Sequence, residues 1–226
     1  SSLKYIDNGT VILNGENNSN IEGFIGIVDL NSKTGTLEIG DNVDLTTGIS
    51  GIQFENANTS TLTFNGSSTI YGVLGGDTSG NSTFESIYAG VTGETVTFKN
   101  DVYVKESTFH VSEDGVVNFE GDLYGDLIFE NDGIVNVTNT KSIIVSSTPI
   151  AITTANDGKG TVNFEGTTTL YTDIGESALK LNNIYFASSG TSTNVYNQDI
   201  AYNIYSNNTI IGNDSNKTNV NIKDDL

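Results

Sequence analysis

Short runs in which apolar and polar residues alternate extend along most of this chain. In Thr61-Leu62-Thr63-Phe64 the leucine and phenylalanine fall on one side and the threonines on the other. Thr95-Val96-Thr97-Phe98 and Thr161-Val162-Asn163-Phe164 repeat the arrangement. A period of two is the mark of a half-buried β-strand. Clusters of Gly, Asn, Asp and Ser, the residues that accept turn dihedrals, separate the runs. Almost no helix is expected. The best helical candidate, Glu176-Ser-Ala-Leu-Lys-Leu181, is short and reads equally as a turn leading into Asn183-Ile184-Tyr185-Phe186.

The alternation is also a repeat of wording. Ser60-Thr-Leu-Thr-Phe64-Asn-Gly66-Ser-Ser-Thr-Ile-Tyr71 returns as Gly115-Val-Val-Asn-Phe119-Glu-Gly121-Asp-Leu-Tyr124. It returns again as Gly160-Thr-Val-Asn-Phe164-Glu-Gly166-Thr-Thr-Thr-Leu-Tyr171. Taking the central apolar residue of each strong or weak copy gives Leu13, Ile39, Phe64, Phe98, Phe119, Val137 and Phe164. Their spacings are 26, 25, 34, 21, 18 and 27 residues. One coil of a three-sided β-helix uses about this many residues. The expected fold is therefore all-β, a right-handed parallel β-helix. Variable loops such as Tyr71–Gly80 would sit at its corners. Phe64, Phe98, Phe119 and Phe164 are expected in one inner row, with outward Asn and Thr stacking likewise. The rival is an antiparallel β-sandwich. It needs many hairpins, yet Asn-Gly and Asp-Gly pairs are few. Residues 1–226 read as one solenoid segment of a larger protein, regular over 1–175 and less regular over 176–226, where the repeat wording is lost.

Composition narrows the function classes. The formal net charge is −19 and all nine basic residues are lysine. Phosphates would be repelled, so a nucleic-acid partner is excluded, and docking to an anionic membrane is disfavoured. There is no cysteine, hence no disulfide or thiolate chemistry. No apolar run is long enough to span a bilayer as a helix. With no signal-peptide pattern and no methionine, the chain reads as a processed product or an excised segment.

The wording Thr161-Val-Asn-Phe-Glu-Gly166 … Tyr171-Thr-Asp-Ile-Gly175, followed by Ala178-Leu-Lys-Leu-Asn-Asn-Ile-Tyr-Phe-Ala187, resembles the passenger domains of rickettsial surface cell antigens. These are autotransporters of the outer membrane protein A and B kind. Val96-Thr-Phe-Lys-Asn-Asp-Val-Tyr103 and Gly115-Val-Val-Asn-Phe-Glu-Gly-Asp-Leu123 share the cadence, and the resemblance covers most of residues 9–187. It implies a β-solenoid displayed on the outer membrane or secreted, and attached to or cleaved from a C-terminal β-barrel. It also implies adhesion to host cells or a coat on the bacterium.

Chemistry is sparse. His110 is the only histidine, with Glu106, Asp114 and several serines nearby in sequence. A Ser–His–Asp arrangement would need it, but Thr108-Phe-His-Val111 reads as an ordinary strand. The absence of arginine argues against a lyase that uses an arginine base. The acids are scattered, and neighbours such as Asp224 and Asp225 point apart in an extended chain, whereas a glycosidase needs a facing carboxylate pair. No catalytic, cofactor or metal residues are assigned.

Calcium is the one ligand weighed. Asp41-Asn-Val-Asp44, Glu113-Asp114-Gly115 and Asn131-Asp132-Gly133 offer loop oxygens, but each supplies two or three of the six to eight required. Gly75-Gly-Asp77 does not match the calcium-binding β-roll repeat. The triplets at Asn8, Asn65 and Asn81 arise by chance in so Asn- and Thr-rich a chain. Tyr185, Tyr196, Tyr202 and Tyr205 could form an adhesive face or belong to the core. The expectation is a non-catalytic surface passenger acting as adhesin or coat, its partners a host cell-surface protein or neighbouring copies. A self-assembling surface-layer protein held by divalent ions comes next, and a carbohydrate-active β-helix enzyme third.

Overall fold

The alternating runs form parallel strands, and every strand pair that the fold contains among the described residues is parallel. The structure is a computed structural model that describes residues 2–4, 7–14, 19–22, 27–29, 34–46, 53–55, 60–75, 84–138, 143–144, 150–165, 168–170, 173–186, 195–200, 203–212 and 217–222. Each coil lays one strand on a first face and the next on a second face, then crosses a third before rising. Coils of this kind stack as a β-solenoid, with no helix among the described residues. The antiparallel sandwich is thereby excluded.

One coil illustrates the path. Ser60–Phe64 lies on the first face and Ser68–Tyr71 on the second, and Leu74 bridges to Val102 on the third. Phe84–Ala89 then begins the next coil beside Ser60–Phe64. Among the described residues the second face carries nine strands, ordered from Ser206–Ile211 to Ser19–Glu22. The third face is split into short sheets, one joining Ser2–Lys4, Ile27–Asp29 and Gln53–Glu55 and another joining Thr168–Leu170, Val195–Ile200 and Lys217–Ile222.

The core consists of columns running from coil to coil. On the first face Leu37, Leu62, Ile87, Phe109, Leu127 and Ile152 stand in register, all with no exposed surface. On the second, Ile70, Phe98, Phe119, Val137, Phe164 and Phe186 stand in register, each buried. Burying each of these side chains stabilises the fold by about 1.5–3 kcal/mol. The rings of Phe98 and Phe119 stack with centroids 5.4 Å apart, and Phe109 meets both nearly edge-on across the interior.

The single inner row expected for four phenylalanines is corrected. Phe98, Phe119 and Phe164 share the second-face column, but Phe64 lies in the first-face column with Leu13 and Ile39. The repeated phrase thus serves two different corners. Phe64-Asn-Gly66 turns the chain from the first face to the second, whereas Phe119-Glu-Gly121 turns it from the second to the third. The spacing of 34 residues is not a longer coil. It is the six-residue step from Phe64 to Ile70 around a corner, followed by one coil to Phe98.

The glycine of the phrase has a steric cause. A Cβ on Gly66 would sit 2.5 Å from the Asp41 Cα one coil below, and one on Gly121 would overlap the Asn100 carbonyl carbon. Corners stack too closely for any side chain there. Glu176–Leu181 takes its turn reading rather than the helical one. Glu176 and Leu179 exchange backbone hydrogen bonds of 3.0 and 3.1 Å, and Leu181 begins the strand Leu181–Phe186. A segment this short cannot nucleate a helix against a sheet that offers ladder bonds. Within the expected corner loop Tyr71–Gly80, residues 76–80 lie outside the described residues.

Candidate functional site

Among the described residues, outward side chains are where this fold places its polar chemistry. Strand alternation sends every second side chain away from the columns, and coil stacking brings like residues to the same height on successive strands. On the second face Asn118 donates through Nδ2 to Thr97 Oγ1 at 3.2 Å. Asn136 donates to Asn118 Oδ1 at 2.7 Å, and Asn163 to Asn136 Oδ1 at 2.7 Å. Beside this column Asn183 donates to Thr161 Oγ1 at 3.2 Å, and Asn208 to Asn183 Oδ1 at 3.1 Å. The stacking expected for outward Asn and Thr residues is present.

The corners use carboxylates in a way the sequence reading missed. Asp41 Oδ1 accepts the Ser67 N–H at 3.1 Å, and Asp44 Oδ1, already inside the strand Val43–Thr46, accepts the Thr69 N–H of the next coil at 2.9 Å. Asp101 accepts from Asp122, Asp114 from Asp132 and Asp157 from Lys180, each at 2.9 Å, and Asp173 accepts from Asn203 at 2.8 Å. Each bond spans one coil. A corner N–H leaves the strand ladder, and an aspartate one coil below replaces the lost acceptor.

This accounts for the residues weighed as calcium donors. Asp41, Asp44 and Asp114 are bound to the next coil, and Asp132 also approaches Lys159 Nζ at 3.3 Å and the Gly160 N–H at 3.3 Å. Glu113 reaches the other way and accepts the Thr92 N–H at 3.0 Å, which holds its carboxyl below the usual value. Asn131 donates to the Ser112 carbonyl at 2.9 Å. No group of three or more His, Cys, Asp or Glu side chains gathers to hold a metal among the described residues. Asp77, Asp224 and Asp225 lie outside them.

His110 lies on the outward side of the strand Val102–Val111. Its ring stacks on Tyr88 with centroids 4.3 Å apart, and its Nδ1 lies 2.7 Å from Glu130 Oε1. The acid bonded to it is Glu130, one coil on. The side chain of Glu106 is outside the described residues.

Of the tyrosines in the irregular C-terminal part, Tyr185 and Tyr205 are half-buried, while the side chains of Tyr196 and Tyr202 are outside the described residues. A tyrosine pair that the sequence reading did not single out lies on the third face. Tyr103 and Tyr124 stack with centroids 4.4 Å apart and planes inclined by 6°. Burial, then the neighbouring Tyr103, raises the Tyr124 hydroxyl above its ordinary pKa. The signal for it was the spacing of 21 residues from Tyr103 to Tyr124, the same as from Phe98 to Phe119. Among the triplets, Asn8 accepts the Thr34 N–H at 2.9 Å and Asn65 donates to Glu38 at 3.1 Å. Asn81 lies outside the described residues.

Compared with protein-family models, with curated proteins and with solved structures, the chain gives no match.

Proposed function

We propose that the chain is a non-catalytic solenoid displayed on a bacterial surface, where it acts as an adhesin or coat. The observation that carries this reading is the use of the corner carboxylates. Side chains that an enzyme or a calcium site would turn toward a ligand are instead bonded to the next coil, at Asp41, Asp101, Asp114 and Asp157. Such bonding builds stiffness and leaves recognition to flat outward faces. The resemblance to autotransporter passengers and the net charge of −19 agree with an extended, solvated surface.

Beads coated with the chain test the reading on cultured animal cells. Saturable adhesion that soluble chain competes away is expected, together with protease-accessible protein on intact cells of the source organism. Absence of both would overturn it. Ordered lattices grown with divalent cations, without adhesion, would transfer the role to a surface layer.

A further inference from the structure

The outward positions of six consecutive strands on the second face form two columns. One holds Thr97, Asn118, Asn136, Asn163, Tyr185 and Ile210. The other holds Thr95, Val116, Ile134, Thr161, Asn183 and Asn208. No member of either column carries a charge, in a chain with 28 acidic residues. Two ion pairs lie at its borders, Lys99 with Glu120 on one side and Lys159 with Asp132 on the other, and Glu165 stands on the same border as Glu120.

This strip has a defined valence. Asn136 spends one N–H on Asn118 and accepts one from Asn163. A primary amide has two N–H donors and two lone pairs, so one of each is left for a ligand. Asn118 is placed likewise by its bonds to Thr97 and Asn136. These groups recur at the strand spacing of about 4.8 Å, and their columns extend roughly 24 Å over the six strands. The column bonds fix the amides in advance, so little side-chain entropy is lost on binding. Partly exposed Val116 and Ile134 run alongside, and Tyr185 presents a ring where the amide column ends.

We propose that this strip binds a neutral polysaccharide chain laid along the solenoid axis. A sugar chain alternates C–H faces with hydroxyls that both donate and accept. The first suit Val116, Ile134 and Tyr185, and the second suit the remaining amide valences. The charge pattern selects the same class. An anionic polymer is repelled by the net charge of −19, and a basic peptide would be drawn to the acidic corners outside the strip. A second copy carries the same net charge of −19 and is repelled as an anionic polymer is. The proposal deepens the display reading by naming a partner class, and its test is independent of that reading.

The test is affinity electrophoresis of the whole chain through gels holding a soluble neutral β-glucan, with pelleting on insoluble cellulose and chitin and with dextran sulfate as the anionic control. Retention by at least one neutral polymer and none by dextran sulfate is expected. Asn136→Asp and Val116→Lys, which charge the strip, should abolish retention, and Tyr185→Ala should weaken it at least tenfold. Thr63→Lys, on the outward side of the first face, should leave it intact. Val116 lies outside the core columns, so its variant reads the strip even if Asn136→Asp fails to fold. No retention by any neutral polymer, retention unchanged in Val116→Lys, or self-association that Val116→Lys removes would each overturn the proposal. Retention without bead adhesion would leave this inference standing and sink the adhesin reading. Adhesion without retention would do the reverse.

Discussion

Asp41 and Ser67 are 26 residues apart, yet the Asp41 carboxylate accepts the Ser67 backbone N–H at 3.1 Å. The bond joins one corner to the next where the strand ladders are interrupted, and it recurs at four other corners. Asp41→Ala removes the acceptor and leaves a corner N–H to water. Urea denaturation should show a loss of about 1 kcal/mol. Asp41→Asn keeps an acceptor oxygen at the same place and should recover most of the loss. Equal destabilisation by both variants would contradict the assignment.

Two glycines give a sharper contrast. At Gly121 a methyl group would overlap the Asn100 backbone, whereas at Gly9 nothing lies within 4 Å of the added atom. Gly121→Ala forces two coils apart and should cost about 1–3 kcal/mol, as overpacking does. Gly9→Ala should change stability by less than about 0.5 kcal/mol. Thermal melts of the two variants beside the parent chain check the pair.

Phe119 touches the rings of both Phe98 and Phe109 in the interior, so it couples two faces of the solenoid. Phe119→Ala should cost about 3–5 kcal/mol. Because each coil is held chiefly by its neighbours, amide exchange should accelerate most in the strands Thr95–Phe98 and Ile134–Val137 on either side. Uniform acceleration along the whole chain would speak against nearest-neighbour stacking.

Glu113 supplies a pH dependence. Its folded carboxyl is held below the ordinary glutamate value of 4.5, first by the Thr92 backbone N–H and then by the Thr92 side chain. A depressed folded value means the unfolded chain binds the proton more readily. The contribution is therefore complete above 4.5 and is lost as pH falls through the lowered value. An NMR titration should find Glu113 ionising below a free glutamate, and Glu113→Gln should flatten the acid limb of the stability profile between those two values.

The architecture was legible because its cause is local. Leu62 and Phe64 alternate with threonine, and the phrase around them recurs at coil length. The Asn stacking followed from the same argument, since Asn118, Asn136 and Asn163 hold equal places in copies of one phrase. Which face a copy occupies was not legible. Phe64 and Phe119 have almost the same flanking residues, and only the pairing of Phe119 with Phe98, and not with Phe64's column, separates them. The aspartate staples were hidden for a related reason. Asp41 beside Asn42 looks like any solvated turn until the next coil brings Ser67 over it. The Tyr88–His110–Glu130 cluster likewise joins three successive coils whose spacing varies, so no sequence separation announces it.

Successive coils stack in parallel register. Electron-spin distance measurements test it most directly, with one label at Thr97 and the second moved in turn to Asn136, Asn163, Tyr185 and Ile210. The account predicts distances that lengthen by about 4.8 Å per strand and reach roughly 24 Å at Ile210. Distances that fail to grow in that order would contradict it.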